Sequence, residues 1–591
     1  MATAWRLPWE VVETLPSTDE ALLRAWDERL STARTAAAQV RALVGTALVR
    51  YWAVQEDVLD VDPTELAADR RRRIDEATTL ARRDGDPVLV ATALLGRLYA
   101  CWGPDDLAGR DGIIDELCVL APDITDEELS FRIREWVVTR HFDRGDLAAA
   151  RADIEAFRRI SAETDLVLFR RREELWRGNL AMLEGRLDEW VRINEEAIST
   201  TPDTAGSPFS FQNVAVTLAI ERYLRRGLGD VIEAIRSIRA SSPRVGANWA
   251  TGLAFALAET GQTGEAGRLF DALAADDFSA IPRDVNWLVT MQLLGLVAIH
   301  LDDHAAMARI HELVLPFRTL DATHGSGYAS YGPVARVLGT LAARTGDHTA
   351  AAEHFEFVFR TRDPGPWTSL ARLDAAVSLE TVAPTRAVAL AADAEAELRA
   401  LDMDAWATLA RTVRIDLLLQ GHGTPIAVRR EGRWHLRHGS GHAVLRDSVG
   451  IRQLTALLAR PGETIETADL DTTIDRRLPI RAADHEPIDA VALAAYRRRL
   501  AELDGTGDRR GSEAEFLRRA LAGSRFVPSG SAELERIRVR VTKALKRTID
   551  AISESDAGLG AHLAATVETG RRCVYAPADG DAWQVERLDA S

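Results

Sequence analysis

A short turn, most often built on a glycine followed by a polar residue, returns along the first part of this chain. It appears as Arg144-Gly145-Asp146, Glu184-Gly185-Arg186, Arg226-Gly227-Leu228, Thr260-Gly261-Gln262, Leu301-Asp302-Asp303 and Thr345-Gly346-Asp347. The turn positions 145, 185, 227, 261, 303 and 346 are separated by 40, 42, 34, 42 and 43 residues. A recurrence in that range means a repeat architecture, because one helical hairpin cannot bury its apolar face alone and must stack on neighbours. The residues around each turn carry helical spacing, as in Trp136, Val137 and Phe142 before the first turn and Leu147, Ala150, Ile154 and Phe157 after it. A residue suited to a helix crossing follows five positions after the turn at Ala150, Trp190, Ala266 and Ala351. The expectation for residues 1–420 is therefore a stack of antiparallel helix pairs whose concave face takes a protein partner.

Two repeats come close to the tetratricopeptide pattern, in which glycine lets two helices approach, alanine sits at their crossing and an aromatic fills the next interface. They are Leu338-Gly339 with Gly346, Ala351 and Phe355, and Leu253-Ala254 with Gly261, Ala266 and Phe270. The fold class expected is thus mostly α: a tetratricopeptide-like helical-repeat solenoid over 1–420, followed by a small α+β winged-helix-like module over 421–577 and a flexible tail over 578–591. Trp136, Trp176, Trp190, Trp249 and Trp287 fall within the helices and are read as interface packing rather than a ligand cage.

Two stretches carry a family resemblance. The first runs through Glu312-Leu-Val-Leu-Pro316-Phe, His324-Gly-Ser-Gly-Tyr328, Ala335-Arg-Val-Leu-Gly339, Ala352-Glu-His-Phe355 and Gly365-Pro-Trp367. It resembles the C-terminal tetratricopeptide arm of large bacterial ATP-binding regulators of the LuxR-like and adenylate-cyclase-like kinds. The second includes Asp447-Ser448-Val-Gly450, Leu457-Leu-Ala-Arg-Pro461-Gly462-Glu463, Arg538-Val-Arg-Val-Thr542-Lys543, Leu559-Gly560-Ala-His562 and Thr569-Gly570-Arg-Arg-Cys573-Val-Tyr575. It is similar to the module that ends many of the same regulators. The resemblance implies an arm that senses or relays a signal. A P-loop requires Gly-Lys within G-x-x-x-x-G-K-[ST], whereas here Lys543 follows Thr542 and Lys546 follows Leu545, so the energy-driven switching of those relatives is not carried over.

Charge is divided along the chain. The net charge is −17, yet from Gly421 onward 27 Lys and Arg stand against 25 Asp and Glu, a balance of +2 that leaves −19 for residues 1–420. The front repels nucleic acid and the back does not. Three cysteines with no CxxC pair exclude a disulfide framework and a cysteine-based zinc site, and fit a reducing cytoplasm. Met1 to Pro16 has no basic stretch followed by an apolar core, and no apolar run reaches membrane-spanning length, so neither export nor membrane insertion is expected.

Alternation at Ile426–Val428, Trp434–Leu436 and Ala443–Leu445 predicts a small antiparallel sheet. Helices are predicted over 448–460, 488–503, 511–523, 531–554 and 559–568, with a last strand at Arg572–Tyr575. The sharpest local feature is in the fourth of these helices, where Arg536, Arg540, Lys543 and Arg547 recur at i, i+4, i+7 and i+11 and share one face. Both lysines of the chain, Lys543 and Lys546, lie there. Such a face suits duplex DNA through its phosphates, or a solvated surface balanced by Glu533, Glu535 and Asp550, or docking on the acidic front part. These four cations are the candidate nucleic-acid or partner contacts. No catalytic, cofactor-binding or metal-ligating residue is assigned. His300-x-x-x-His304 with His311 is interrupted by the Asp302-Asp303 turn, His422, His435, His438 and His442 read as surface imidazoles, and Gly325-Ser-Gly327 reads as loop flexibility rather than a phosphate nest. The function expected is a non-enzymatic signalling or transcription-linked regulator, the alternative being a pure protein scaffold without nucleic-acid contact.

Overall fold

The computed structural model describes residues 20–55, 63–161, 167–199, 208–241, 246–279, 281–472, 490–505, 531–578 and 582–588, together with residues 513, 517, 518 and 521. The chain divides into two compact units, Met1–Val413 and Arg414–Ser591. The boundary falls inside the helix Asp404–Leu419 rather than at residue 420.

The first unit is almost entirely helical. Its helices are α1 (Glu20–Thr32), α2 (Ala36–Gln55), α3 (Pro63–Asp84), α4 (Pro87–Ala100), α5 (Leu107–Leu120), α6 (Glu127–Arg144), α7 (Leu147–Ser161), α8 (Val167–Leu183), α9 (Leu187–Ser199) and α10 (Pro208–Leu224). There follow α11 (Ile232–Ser241), α12 (Gly246–Glu259), α13 (Thr263–Phe278), α14 (Trp287–Leu301), α15 (His304–Val314), α16 (Val334–Arg344), α17 (His348–Thr361), α18 (Pro366–Ser378), α19 (Pro384–Ala400) and α20 (Asp404–Leu419). Consecutive helices pack on each other, as α8 on α9, α12 on α13, α16 on α17 and α18 on α19. Several also reach the next but one, as α12 to α14, α14 to α16 and α16 to α18.

The recurring turn has one mechanism. At each turn a residue with positive φ ends the first helix, and in three of the six, at Asp146, Asp303 and Asp347, an aspartate then caps the second. Gly145 adopts φ 68 and donates its N–H to the carbonyls of His141 and Phe142, while Asp146 Oδ1 accepts the N–H of Ala149 at 3.0 Å. Gly346 and Asp347 repeat this, with Asp347 accepting from Ala350 at 2.9 Å. In two turns the left-handed residue is not glycine: Arg226 (φ 56) and Asp302 (φ 58) each hold it, one place ahead of positions 227 and 303. The crossing predicted at Gly339 is close, since a Cβ there would lie 2.9 Å from the Phe355 ring. Trp136, Trp176, Trp190 and Trp287 are buried in the helix interfaces, whereas Trp249 is only partly buried.

Among the described residues of this unit, one pair of strands stands between the helices. Between α15 and α16 the chain forms an antiparallel hairpin of β1 (Asp321–His324) and β2 (Ala329–Pro333), with Thr323 opposite Ser330 and a bulge between Asp321 and Thr323. The region was expected to be helical repeat with a flexible Gly325-Ser-Gly327 loop. Instead Ser326 and Gly327 are buried, and both strands are short and enclosed on both faces, so they carry no alternation for a sequence reading to detect.

The second unit is mixed. Strands β3 (Ile426–Arg430), β4 (Arg433–His438) and β5 (Gly441–Arg446) form an antiparallel meander, and β9 (Gln584–Leu588) adds parallel to β3, giving the order β5-β4-β3-β9. The stretch 578–591, expected as a flexible tail, thus contributes a strand, and Trp583 beside it is buried. Between these lie α21 (Val449–Leu458), β6 (Ile465–Glu466), α22 (Thr467–Thr472), α23 (Ala490–Gly505), α24 (Ser531–Ser555), α25 (Ala557–Thr566), β7 (Val567–Glu568) and β8 (Arg572–Tyr575), with β8 pairing both β6 and β7. The helix expected over 511–523 lies almost wholly outside the described residues. The core joins Ile451, Leu454 and Leu457 of α21 to Val541, Leu545 and Ile552 of α24. No helix among the described residues is long and apolar enough to cross a membrane.

Candidate nucleic-acid or partner interface

Helix α24 is amphipathic for a physical reason visible in its sequence. Val541, Leu545, Ile549 and Ile552 recur at spacings of three and four and are buried against α21. Gly450 of α21 sets how close the two helices come: a Cβ there would sit 2.5 Å from the carbonyl oxygen of Ala544. At about 100° per residue, the row Arg536, Arg540, Lys543 and Arg547 emerges roughly opposite that buried stripe. All four are exposed.

They are not equivalent. Arg540 is ion-paired with Asp471 of α22, its Nε 3.0 Å from Oδ1. Arg538, on the flank, is held by Glu535 at 2.8 Å through Nε. Arg536, Lys543 and Arg547 form no ion pair with any described residue, and neither does Lys546 beside them. Three of the four expected contacts are thus exposed with no ion-pair partner among the described residues, while the fourth is engaged within its own unit. Helix α25, which leads directly into β7 and β8, contains neither lysine nor arginine.

Elsewhere in this unit charges are tied to structure. Asp447 accepts from Trp434 Nε1 at 3.0 Å and from Arg452 Nε at 2.8 Å, and lies 3.0 Å from Arg429. The Arg452 hydrogen bond, helped by Trp434 and Arg429, holds the Asp447 carboxyl down at about 2. The histidines divide between the two faces of β4, as alternation requires. His435 stacks near His442 with centroids 6.2 Å apart, and His438 stacks on His562 at 4.2 Å.

In the first unit a polar cluster that the sequence did not announce surrounds the hairpin. Arg172 Nη1 donates to Ser326 Oγ at 2.8 Å, Trp176 Nε1 to the Ser326 carbonyl at 2.8 Å and Asn179 Nδ2 to the Gly327 carbonyl at 3.1 Å. Arg172 also lies 3.0 Å from Glu135, which Tyr99 and Arg132 contact too. Burial alone would raise the Glu135 pKa, but Arg172 and Arg132 outweigh it and hold this carboxyl below its ordinary value. Further along, Arg362 Nε donates to Asp321 at 2.7 Å, and Arg336 bridges Asp374 at 2.6 Å and the Tyr223 hydroxyl at 3.0 Å. Each of these acids faces an arginine, but only at Glu135 do the arginines outweigh burial, which raises Asp374 and lifts Asp321 to about 6. The only sequence signal was His324-Gly-Ser-Gly-Tyr328, whose partners lie about 150 positions away.

His300 contacts Glu259 at 3.1 Å, whereas the His311 ring faces His354 at 5.6 Å. Among the described residues no group of three or more His, Cys, Asp or Glu converges as a metal would require. No protein-family model matches the chain, and no curated protein does.

Proposed function

We propose that this protein is a non-enzymatic regulator in which the first unit is a tetratricopeptide-like solenoid that binds a protein partner and the second is a winged-helix-like module that contacts duplex DNA through α24. The observation that carries the reading is the exposed row Arg536, Lys543 and Arg547, without ion-pair partners among the described residues and opposite the buried stripe of its own helix. A row of exposed cations on one helical face neutralises successive phosphates and releases counterions. The order of sheet, helix, short strand, further helices and closing hairpin supports the winged-helix comparison. The Gly339–Phe355 crossing and the Gly-Asp turns support the tetratricopeptide comparison, and with it the resemblance to the arms of bacterial ATP-binding regulators.

The test is fluorescence anisotropy of the full-length protein with duplex DNA across a salt series, beside the Arg536→Glu, Lys543→Glu, Arg547→Glu variant. Three phosphate contacts give a slope of log K on log salt near −3, by the rule of roughly −0.9 per contact, and the variant abolishes binding. Binding that is absent at low salt, or is unchanged in the variant, removes DNA from the reading. A second reading, a protein scaffold without nucleic-acid contact, is favoured by the cation-free α25 and by the pairing of Arg540 with Asp471. Under it the same variant loses a protein partner instead.

A further inference from the structure

The hairpin β1–β2 also walls a cavity. His324 and Tyr331 face a half-open space of about 680 Å³, open solvent included, against α10, α11, α12 and the start of α14. Trp249, Thr251 and Gly252 of α12 and Asn286 ahead of α14 complete its functional surface, and the remaining lining is chiefly aliphatic. Among the described residues no Asp, Glu, Lys or Arg lines it. Besides Asn248 and Thr290, whose side chains hydrogen-bond to each other at 2.9 Å, three further polar side chains line it. Thr251 is 1% exposed and its Oγ1 has no hydrogen-bond partner, and Asn286 Oδ1 is likewise buried and unpartnered. The His324 ring makes no hydrogen bond to a described residue, and its enclosure lowers its pKa to about 4, so the imidazole is uncharged at neutral pH. Buried polar atoms are almost always paired, and those left over in one cavity mark where a guest would pair with them.

We propose that this cavity binds a small neutral molecule with a flat apolar body and one N–H or O–H group, which it donates to Asn286 Oδ1. A charged guest would lose its hydration without meeting a counter-charge. An entirely apolar guest would leave Asn286 and Thr251 unpaired. Trp249 and Tyr331 give the cavity aromatic surface for a ring system. This site goes beyond the regulatory reading and does not depend on DNA contact at α24.

The probe is N-phenyl-1-naphthylamine, a neutral fused-ring arylamine with a single N–H, titrated into the full-length protein and followed by its fluorescence. The comparison probe is 1-phenylnaphthalene, which lacks the N–H. Nothing lies within 4 Å of a Cβ added at Gly252, so Gly252→Phe places a ring in the cavity without a backbone clash, and Gly252→Ala is its control. The expected result is saturable one-to-one binding of the arylamine, unchanged by Gly252→Ala and abolished by Gly252→Phe. Asn286→Leu is expected to weaken the arylamine about tenfold, the worth of one hydrogen bond, and to leave 1-phenylnaphthalene unchanged. Non-saturable binding, or equal affinity in Gly252→Phe, overturns the proposal. Should Gly252→Phe fail to fold, the Asn286→Leu comparison decides alone, and equal effects on the two probes overturn it.

Discussion

Arg172 and Arg547 are the same side chain used in opposite ways. Around the hairpin of the first unit, Arg132, Arg172, Arg336 and Arg362 are sunk into the interior, each against a carboxylate and most against an aromatic ring as well. On α24, Arg536 and Arg547 stand in solvent with no described partner. Arginine count therefore says little about what a region can bind. A buried guanidinium has spent its directional hydrogen bonds on the fold and is unavailable to a ligand, while an exposed one contributes little to stability and remains free to meet an anion.

The contrast can be broken most severely at Asp374. Asp374→Ala leaves Arg336, only 2% exposed, with the Tyr223 hydroxyl alone, and is expected to cost about 3–5 kcal/mol in urea unfolding of the first unit. The double variant Arg336→Met, Asp374→Leu should recover most of that loss, since removing both charges leaves none stranded. A double variant as unstable as Asp374→Ala would show that the pair itself, and not the orphaned charge, carries the effect.

Gly327 comes next. It holds φ +87, and a Cβ there would lie 2.8 Å from the Phe142 ring. Gly327→Ala is expected to destabilise the first unit by about 2–4 kcal/mol, combining left-handed strain with overpacking, measured in the same way. A smaller effect would mean that the hairpin tip shifts easily within its pocket of helices.

Acid titration sharpens the comparison, because Asp284 is a buried acid without the arginine hydrogen bonds that serve Glu135. Burial raises Asp284 to about 6, although the backbone N–H of Asn286 pulls the other way. An unfolded aspartate titrates near 3.9, so the folded chain holds this proton more tightly. Its contribution to stability is therefore fully present below about pH 4 and is lost as pH rises through about 6. Relative to Asp284→Asn, the native protein should lose about 2–3 kcal/mol between pH 4 and 7. Glu135, held low by Arg172 and Arg132, acts in the opposite sense and weakens the fold as pH falls. A native-minus-variant difference that is flat with pH would place Asp284 in contact with water.

The smallest effect is expected on the exposed row. Arg536→Glu, Lys543→Glu and Arg547→Glu together should change the stability of the second unit by no more than about 0.5 kcal/mol, because no described ion pair is lost. A larger loss would mean that these cations serve the fold after all, as Arg172 does.

The repeated turn was legible because its chemistry is local. Gly145-Asp146 and Gly346-Asp347 need only a left-handed residue and a capping carboxylate side by side. Amphipathic α24 was legible for the same reason, its buried stripe and cationic row both following from helical spacing. The hairpin was not, since what makes Asp321–Pro333 two strands is the shape of the space between α6, α8, α14 and α18, which no window of thirteen residues contains. Strand β9 was missed likewise: Gln584–Leu588 is a strand only because β3 offers an open edge. The pairing of Arg540 with Asp471 depends on α22 and could not be read from α24 alone.

The reach of the hairpin has a consequence for how the first unit comes apart. Arrays of stacked helix pairs unfold piecemeal, since each pair touches only its neighbours. Here Trp176 and Ser326 are 150 positions apart and joined by a hydrogen bond, and Arg172 to Ser326 spans 154. Contacts of that range close a long loop and couple the early helices to the late ones, so α6–α8 and α14–α18 are expected to melt in a single transition where a plain array would fray from its ends.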